Sequence, residues 1–236
     1  MWHSSSFTDT GQVRSLNEDS VLDLTTQNMW VVADGMGGHS NGDYASQLVT
    51  STLSHYTCSE RPGISKQRLV SALDTCNRKL IDKADEDQVD VIGCTVAVLQ
   101  ARNNSIICSW SGDSRIYRLR NAQLLQLTRD HSQESAVEDR DRLRYPTALS
   151  NPSQMLTAAI GGDIQLSLEH CWYTLQADDI FLLCTDGLNK EVDDKELGET
   201  LNASKDGVEV LSSLVKLYHQ RGARDNVGLV WAGNLA

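Results

Sequence analysis

Val31-Val32-Ala33-Asp34-Gly35-Met36-Gly37-Gly38-His39 joins a short apolar run to a carboxylate and then to three glycines. Residues 29–33 read as a buried strand with Asp34 at its end. Glycine lacks a Cβ and tolerates positive φ, so the backbone after Asp34 can approach whatever Asp34 holds. A carboxylate followed by bare backbone offers a hard cation an anionic oxygen, a carbonyl and room for water. A glycine-rich turn whose aspartate makes a local hydrogen bond gives the same pattern, and the stretch alone supports both readings. The pattern returns at 180–184, an apolar run followed by Thr185-Asp186-Gly187-Leu188. Asp225 stands before the apolar run 226–231, and Asp113 lies in the turn Gly112-Asp113-Ser114. Aspartates gathered at one sheet edge repel unless cations sit between them. The repeated strand–Asp–Gly unit therefore favours a metal site, and oxygen-only ligands suit Mg²⁺ or Mn²⁺.

Working outward, residues 3–10 and 20–24 read as strands, and the latter forms an antiparallel hairpin with 29–33. That hairpin brings Glu18 and Asp19 near Asp34. Residues 45–56 read as a helix stopped by Pro62-Gly63. Leu69, Leu73, Cys76, Leu80 and Ala84 recur at helical spacing and predict a long amphipathic helix over 65–83. An acidic loop follows over 82–90. Runs at 94–100, 105–111, 115–120 and 124–127, separated by turn signals, predict an antiparallel meander. The charged segment 131–155 reads as a flap, with a helix at 133–143; excursions of this length are often functional. A strand is expected within 165–175, helices at 194–201 and 207–220, and a closing strand at 226–231. Two antiparallel sheets with helices outside is the simplest layering, and the whole of 1–236 is expected to form one domain.

The 236 residues are 40% hydrophobic and 22% charged, an ordinary globular composition. A formal net charge of -11 argues against nucleic-acid binding and peripheral membrane attachment. None of the six cysteines has C-x-x-C spacing, so a zinc site is not expected. Several lie in apolar runs as small hydrophobes, which suits reduced thiols and a cytoplasmic location. No signal peptide or membrane span is expected.

Eight stretches in order carry a resemblance: Val13-Arg14-Ser15-Leu16-Asn17-Glu18-Asp19, Ala33-Asp34-Gly35-Met36-Gly37-Gly38-His39, Gly93-Cys94-Thr95, Gly112-Asp113-Ser114-Arg115, Leu127-Thr128-Arg129-Asp130-His131-Ser132, Leu156-Thr157-Ala158-Ala159-Ile160-Gly161, Cys184-Thr185-Asp186-Gly187-Leu188 and Arg224-Asp225-Asn226-Val227. Together the chain resembles a bacterial-type member of the PP2C (PPM) family of metal-dependent Ser/Thr phosphatases. The resemblance implies an α+β fold, a β-sandwich of two antiparallel sheets with helices on both outer faces. It implies that Asp34 bridges two Mn²⁺ or Mg²⁺ ions, that the Gly35 carbonyl completes one, and that Asp186 and Asp225 bind the other. Glu18 would reach a metal through water, with Asp19 orienting that shell. Asp113 with Asp186 matches the ligands of a third, weaker ion. Arg14 would hold the substrate phosphate through its planar fork, and Asn226 would support Asp225. The implied reaction is direct attack of metal-activated water on a phosphoserine or phosphothreonine phosphorus.

Departures from the family pattern are Met36, where eukaryotic relatives carry a histidine proposed as general acid, and Cys94, where threonine is more usual. His39 is assigned a supporting place beside the turn, which leaves the leaving-group proton donor unassigned. The leading expectation is a monomeric protein phosphatase acting on phosphorylated proteins and opposing a bacterial Ser/Thr kinase. A phosphatase or phosphodiesterase for small phosphoesters and a non-catalytic binding module on the same fold are the alternatives.

Overall fold

The computed structural model describes residues 1–37, 41–131 and 158–235. The expectations for His39, for most of the flap and for its helix at 133–143 lie outside these residues. The elements run β1 Trp2–Asp9, β2 Asp19–Leu24, β3 Met29–Met36, α1 Asn41–Ser54, α2 Pro62–Asp87, β4 Gly93–Cys94, β5 Val96–Arg102, β6 Ser105–Ser111, β7 Arg115–Arg120, β8 Gln123–Gln126, β9 Glu169–Thr174, β10 Ile180–Cys184, α3 Asp186–Asn189, α4 Asp194–Ala203, α5 Gly207–Arg221 and β11 Val227–Asn234. One sheet has the order β1-β11-β10-β7-β8; the other has β2-β3-β5-β6-β9, with β4 paired to β3. All these pairings are antiparallel.

Side-chain alternation divides the core into three slabs. Met29, Val31 and Ala33 of β3 pack with Val49 and Leu53 of α1 and with Leu69, Leu73 and Leu80 of α2. Trp30 and Val32 point the other way and meet Phe181, Leu183 and Val230 of the opposite sheet. Leu182, Leu229 and Trp231 then pack beneath Leu197 and Leu201 of α4 and Leu211 and Leu214 of α5. The order is helices, sheet, sheet, helices, as the resemblance implies. No helix among the described residues is long and apolar enough to cross a membrane.

Four expectations need correction. Asp34 lies inside β3 rather than at its end, because Gly35 and Met36 pair with Cys94 and Gly93 of the two-residue β4. Pro62 begins α2 instead of stopping the preceding helix; proline at the first helical position lacks only an N–H that would have no intrahelical partner anyway. The helix then continues through Asp87, so most of the expected acidic loop is helical. The meander is split: β5 and β6 belong to one sheet and β7 and β8 to the other. The chain crosses at Gly112, whose φ of 103° is open to glycine.

Candidate active site

The carboxylates gather at one end of the gap between the sheets. Asp19 and Asp34 sit opposite each other in the β2–β3 register. Asp34 shares the parity of Trp30 and Val32, and Asp19 that of Val21, so both face the opposite sheet. From that sheet the Thr185 hydroxyl, at the end of β10, donates to Asp19 Oδ2 at 2.6 Å and accepts from the Gly228 amide at 2.7 Å. Asp34 is held by its backbone. Its N–H donates to Thr95 Oγ1 at 3.2 Å, and its carbonyl accepts from the Thr95 amide at 2.8 Å. Thr95 and Ser114 hydroxyls are 2.6 Å apart, tying this turn to the crossover that carries Asp113.

Glu18 arrives beside Asp34 through a tight approach of chains. The Gly35 amide donates to the Glu18 carbonyl at 3.0 Å. A Cβ at Gly35 would stand 1.9 Å from the Gly42 carbonyl oxygen, and one at Gly42 would stand 2.2 Å from Glu18 Oε1. Only glycine at both positions lets the first turn of α1 pack onto Glu18 and the strand.

Asp186 opens α3, and Asp225 lies just ahead of β11. The Lys190 ammonium spans the two, 2.6 Å from Asp186 Oδ2 and 3.1 Å from Asp225 Oδ2. Arg14 Nη2 donates to Asp225 Oδ1 at 2.9 Å, with its side chain 53% exposed. The Tyr218 hydroxyl donates to the Asp225 carbonyl.

Asn226 reaches Asp225 through its backbone N–H, which donates to Oδ1 at 3.1 Å. Its side-chain amide donates to the carbonyls of Thr10 and Leu16, both at 2.8 Å, and its Oδ1 accepts from the Glu18 amide at 2.9 Å. The buried Asn226 thus staples the loop that carries Arg14 and Glu18. Asn226→Ala is expected to cost roughly 2–4 kcal/mol, three hydrogen bonds at about 1 kcal/mol each with backbone groups left unpaired. Urea unfolding of the variant against wild type checks this, and an unchanged midpoint would remove the role.

These carboxylates act on one another electrostatically. Burial, then the nearby charges of Asp186 and Asp225, push Asp19 up to about 7 against the pull of its Thr185 hydrogen bond. Asp34 is held well above the usual carboxylate range by burial and by the charges of Asp19, Asp186, Asp113 and Asp225. Asp113 is pushed up to about 6 by burial and by Asp186. Among the described residues, however, no three Asp, Glu, His or Cys side chains close on a single point. One oxygen of Asp186 and both oxygens of Asp225 are instead contacted by Lys190 and Arg14.

The model of the protein phosphatase 2C family matches residues 11–226. The chain belongs to that family. It is 33% identical to the serine/threonine protein phosphatase PstP of Mycobacterium tuberculosis over 95% of its own length, and spans 43% of that relative. The serine/threonine phosphatase stp of Listeria monocytogenes is 28% identical, with 95% of this chain and 93% of that one covered. Among solved structures, PppA, described as a key regulatory component of T6SS in Pseudomonas aeruginosa, superposes with a TM-score of 0.88 at 38% identity, covering 98% of this chain and 96% of that one. The catalytic domain of PstP in complex with two manganese ions gives 0.84 at 28% identity, covering 100% and 99%. Family membership and the two-sheet fold agree with the resemblance seen in the eight motifs.

Thr185, Thr95 and Lys190 were assigned no role from sequence. Thr185 had a signal: a hydroxyl wedged between an apolar strand and an aspartate, where a hydrophobe would continue the core. Lys190 had half of one, the four-residue spacing from Asp186.

Proposed function

We propose that the chain is a metal-dependent protein serine/threonine phosphatase whose reaction centre is the carboxylate cluster at the end of the sandwich. The observation that carries this reading is the gathering of Asp19, Asp34, Asp113, Asp186 and Asp225, where burial and then mutual charge raise the pKa values of the first three. Such a set is costly in an enzyme that leaves it uncompensated, and an all-oxygen donor set suits Mn²⁺ or Mg²⁺. The fit is supported by Lys190, a positive group already seated between two of the donors. PstP with two manganese ions, a relative of the same fold, points the same way. Asp34, the Gly35 carbonyl, Asp186 and Asp225 would hold two ions, with Glu18 and Asp113 at the margin.

Two such ions would activate water for in-line attack on phosphorus and neutralise the phosphoryl oxygens. The chain's own residues would do the rest. Arg14, exposed at the mouth, would exchange Asp225 Oδ1 for two oxygens of the substrate phosphate. Asn226 would hold the Arg14 loop in place for that exchange, and Thr185 would fix the direction in which Asp19 offers its remaining oxygen. Phosphoprotein substrates and an opposing Ser/Thr kinase are the partners this reading implies. Hydrolysis of a phosphothreonine peptide and of p-nitrophenyl phosphate with Mn²⁺ or Mg²⁺, abolished by EDTA, is expected. Undiminished phosphate release in excess EDTA would end the proposal. Preference for nucleotide or sugar phosphates over the phosphopeptide would favour the small-phosphoester alternative.

A further inference from the structure

Lys190 follows α3 and carries the only ammonium among the described residues that contacts two carboxylates of the cluster. It is 52% exposed, while Asp186 and Asp225 are 15% and 25% exposed. The chain therefore reaches in from the solvent side with a flexible stem and sets its charge between two less exposed acids. Asp186 is four residues before it, on the same turn of chain, and Asp225 comes from the far side of α4 and α5. We propose that Lys190 is a tethered counter-cation that occupies the Asp186–Asp225 gap and competes with the divalent ion for it. This rests on the metal-dependent reading given above and deepens it, since it concerns how tightly one ion is held.

The physical argument is one of exchange. An ammonium is a compact point charge whose three donors satisfy one oxygen of each carboxylate. Asp186 and Asp225 would offer a divalent ion the oxygens that Lys190 now contacts, so Lys190 would have to swing away, a movement its long, half-exposed stem allows. Binding then forfeits two charge-assisted hydrogen bonds. The gain is that the ion-free site stays assembled, with Asp186 and Asp225 held together rather than splayed by repulsion. Arg14 cannot serve in the same way, because it touches Asp225 alone.

The test is Mn²⁺ binding to the metal-stripped protein, read by calorimetry and by the loss of the free-ion paramagnetic resonance signal. Wild type, Lys190→Gln and Lys190→Arg are compared. Lys190→Gln is expected to bind at least one Mn²⁺ about tenfold more tightly than wild type, with Lys190→Arg close to wild type. Its melting temperature in EDTA is expected to fall, and its rise on adding Mn²⁺ to grow. Equal or weaker Mn²⁺ binding by Lys190→Gln overturns the inference while leaving the phosphatase reading intact. A raised KM for phosphopeptide with unchanged Mn²⁺ binding also overturns it and assigns the ammonium to the substrate. Absence of Mn²⁺ and Mg²⁺ binding by wild type overturns both together.

Discussion

Asp34→Asn is expected to lower kcat/KM for a phosphopeptide by on the order of 10³-fold, since removing even one fixed electrostatic group from a reaction centre costs about 10²–10³. The amide has the shape of the carboxylate and lacks its charge. The backbone of residue 34 pairs with Thr95 in both directions and sits in register opposite Asp19, and none of those contacts involves the side-chain charge. The fold is therefore expected to survive. Because Asp34 is buried and surrounded by the charges of Asp19, Asp186, Asp113 and Asp225, an amide there removes the cost of holding a carboxyl group at this site in the ion-free protein. Melting in EDTA should be unchanged or higher than wild type even as turnover disappears. That opposite movement of stability and activity separates a reaction-centre carboxylate from a structural one. A variant that keeps a tenth or more of wild-type activity would show that Asp34 is dispensable to the chemistry.

The sequence reading reached the core strands best where the apolar run was long and unbroken. Residues 180–184 coincide with β10 because every side chain there is buried, on one face beneath the helices and on the other between the sheets. The extension of β3 past Asp34 was not legible, since Gly35 and Met36 are strand only through pairing with a two-residue partner nearly 60 positions later. Pro62 was ambiguous by nature. Proline both ends helices and begins them, and which applies depends on whether an apolar period follows closely. The split of the meander turned on a single crossover at Gly112, where a turn signal marks the bend but carries no information about which sheet receives the next strand. In the candidate site, Asp34, Asp113 and Asp186 were visible because each adjoins a glycine, and Asp225 because an apolar run opens two residues after it. Their cationic neighbours were harder to see. Lys190 and Arg14 meet Asp225 only in three dimensions, and the side chain of Asn226 works on residues more than 200 positions away.

The second large effect concerns pH. Metal-stripped protein is expected to lose stability as pH rises from about 4 to about 7, the reverse of a protein whose carboxylates are all well paired. In the folded state Asp19 is pushed up to about 7 and Asp113 to about 6, from an ordinary value of 3.8 for each. Between the unfolded and folded values the native state holds the extra protons, so unfolding stability falls with pH across that window. The stabilisation is full below the unfolded value and gone once pH passes the folded one. The difference of about three pH units at Asp19 alone corresponds to on the order of 4 kcal/mol. Glu191, which Arg224 holds below its ordinary value of 4.5, contributes in the opposite sense at the acid edge of this window and below it. Divalent ions bind the deprotonated carboxylates, so saturating Mn²⁺ should flatten or invert the slope. Urea unfolding at each pH, with EDTA and with Mn²⁺, measures both limbs. Asp19→Asn supplies the control: it removes one of the raised titrations while keeping a side chain that accepts from Thr185. If the slope in EDTA is as steep in that variant as in wild type, the lost stability comes from elsewhere in the molecule and the crowded-carboxylate account of this site is wrong.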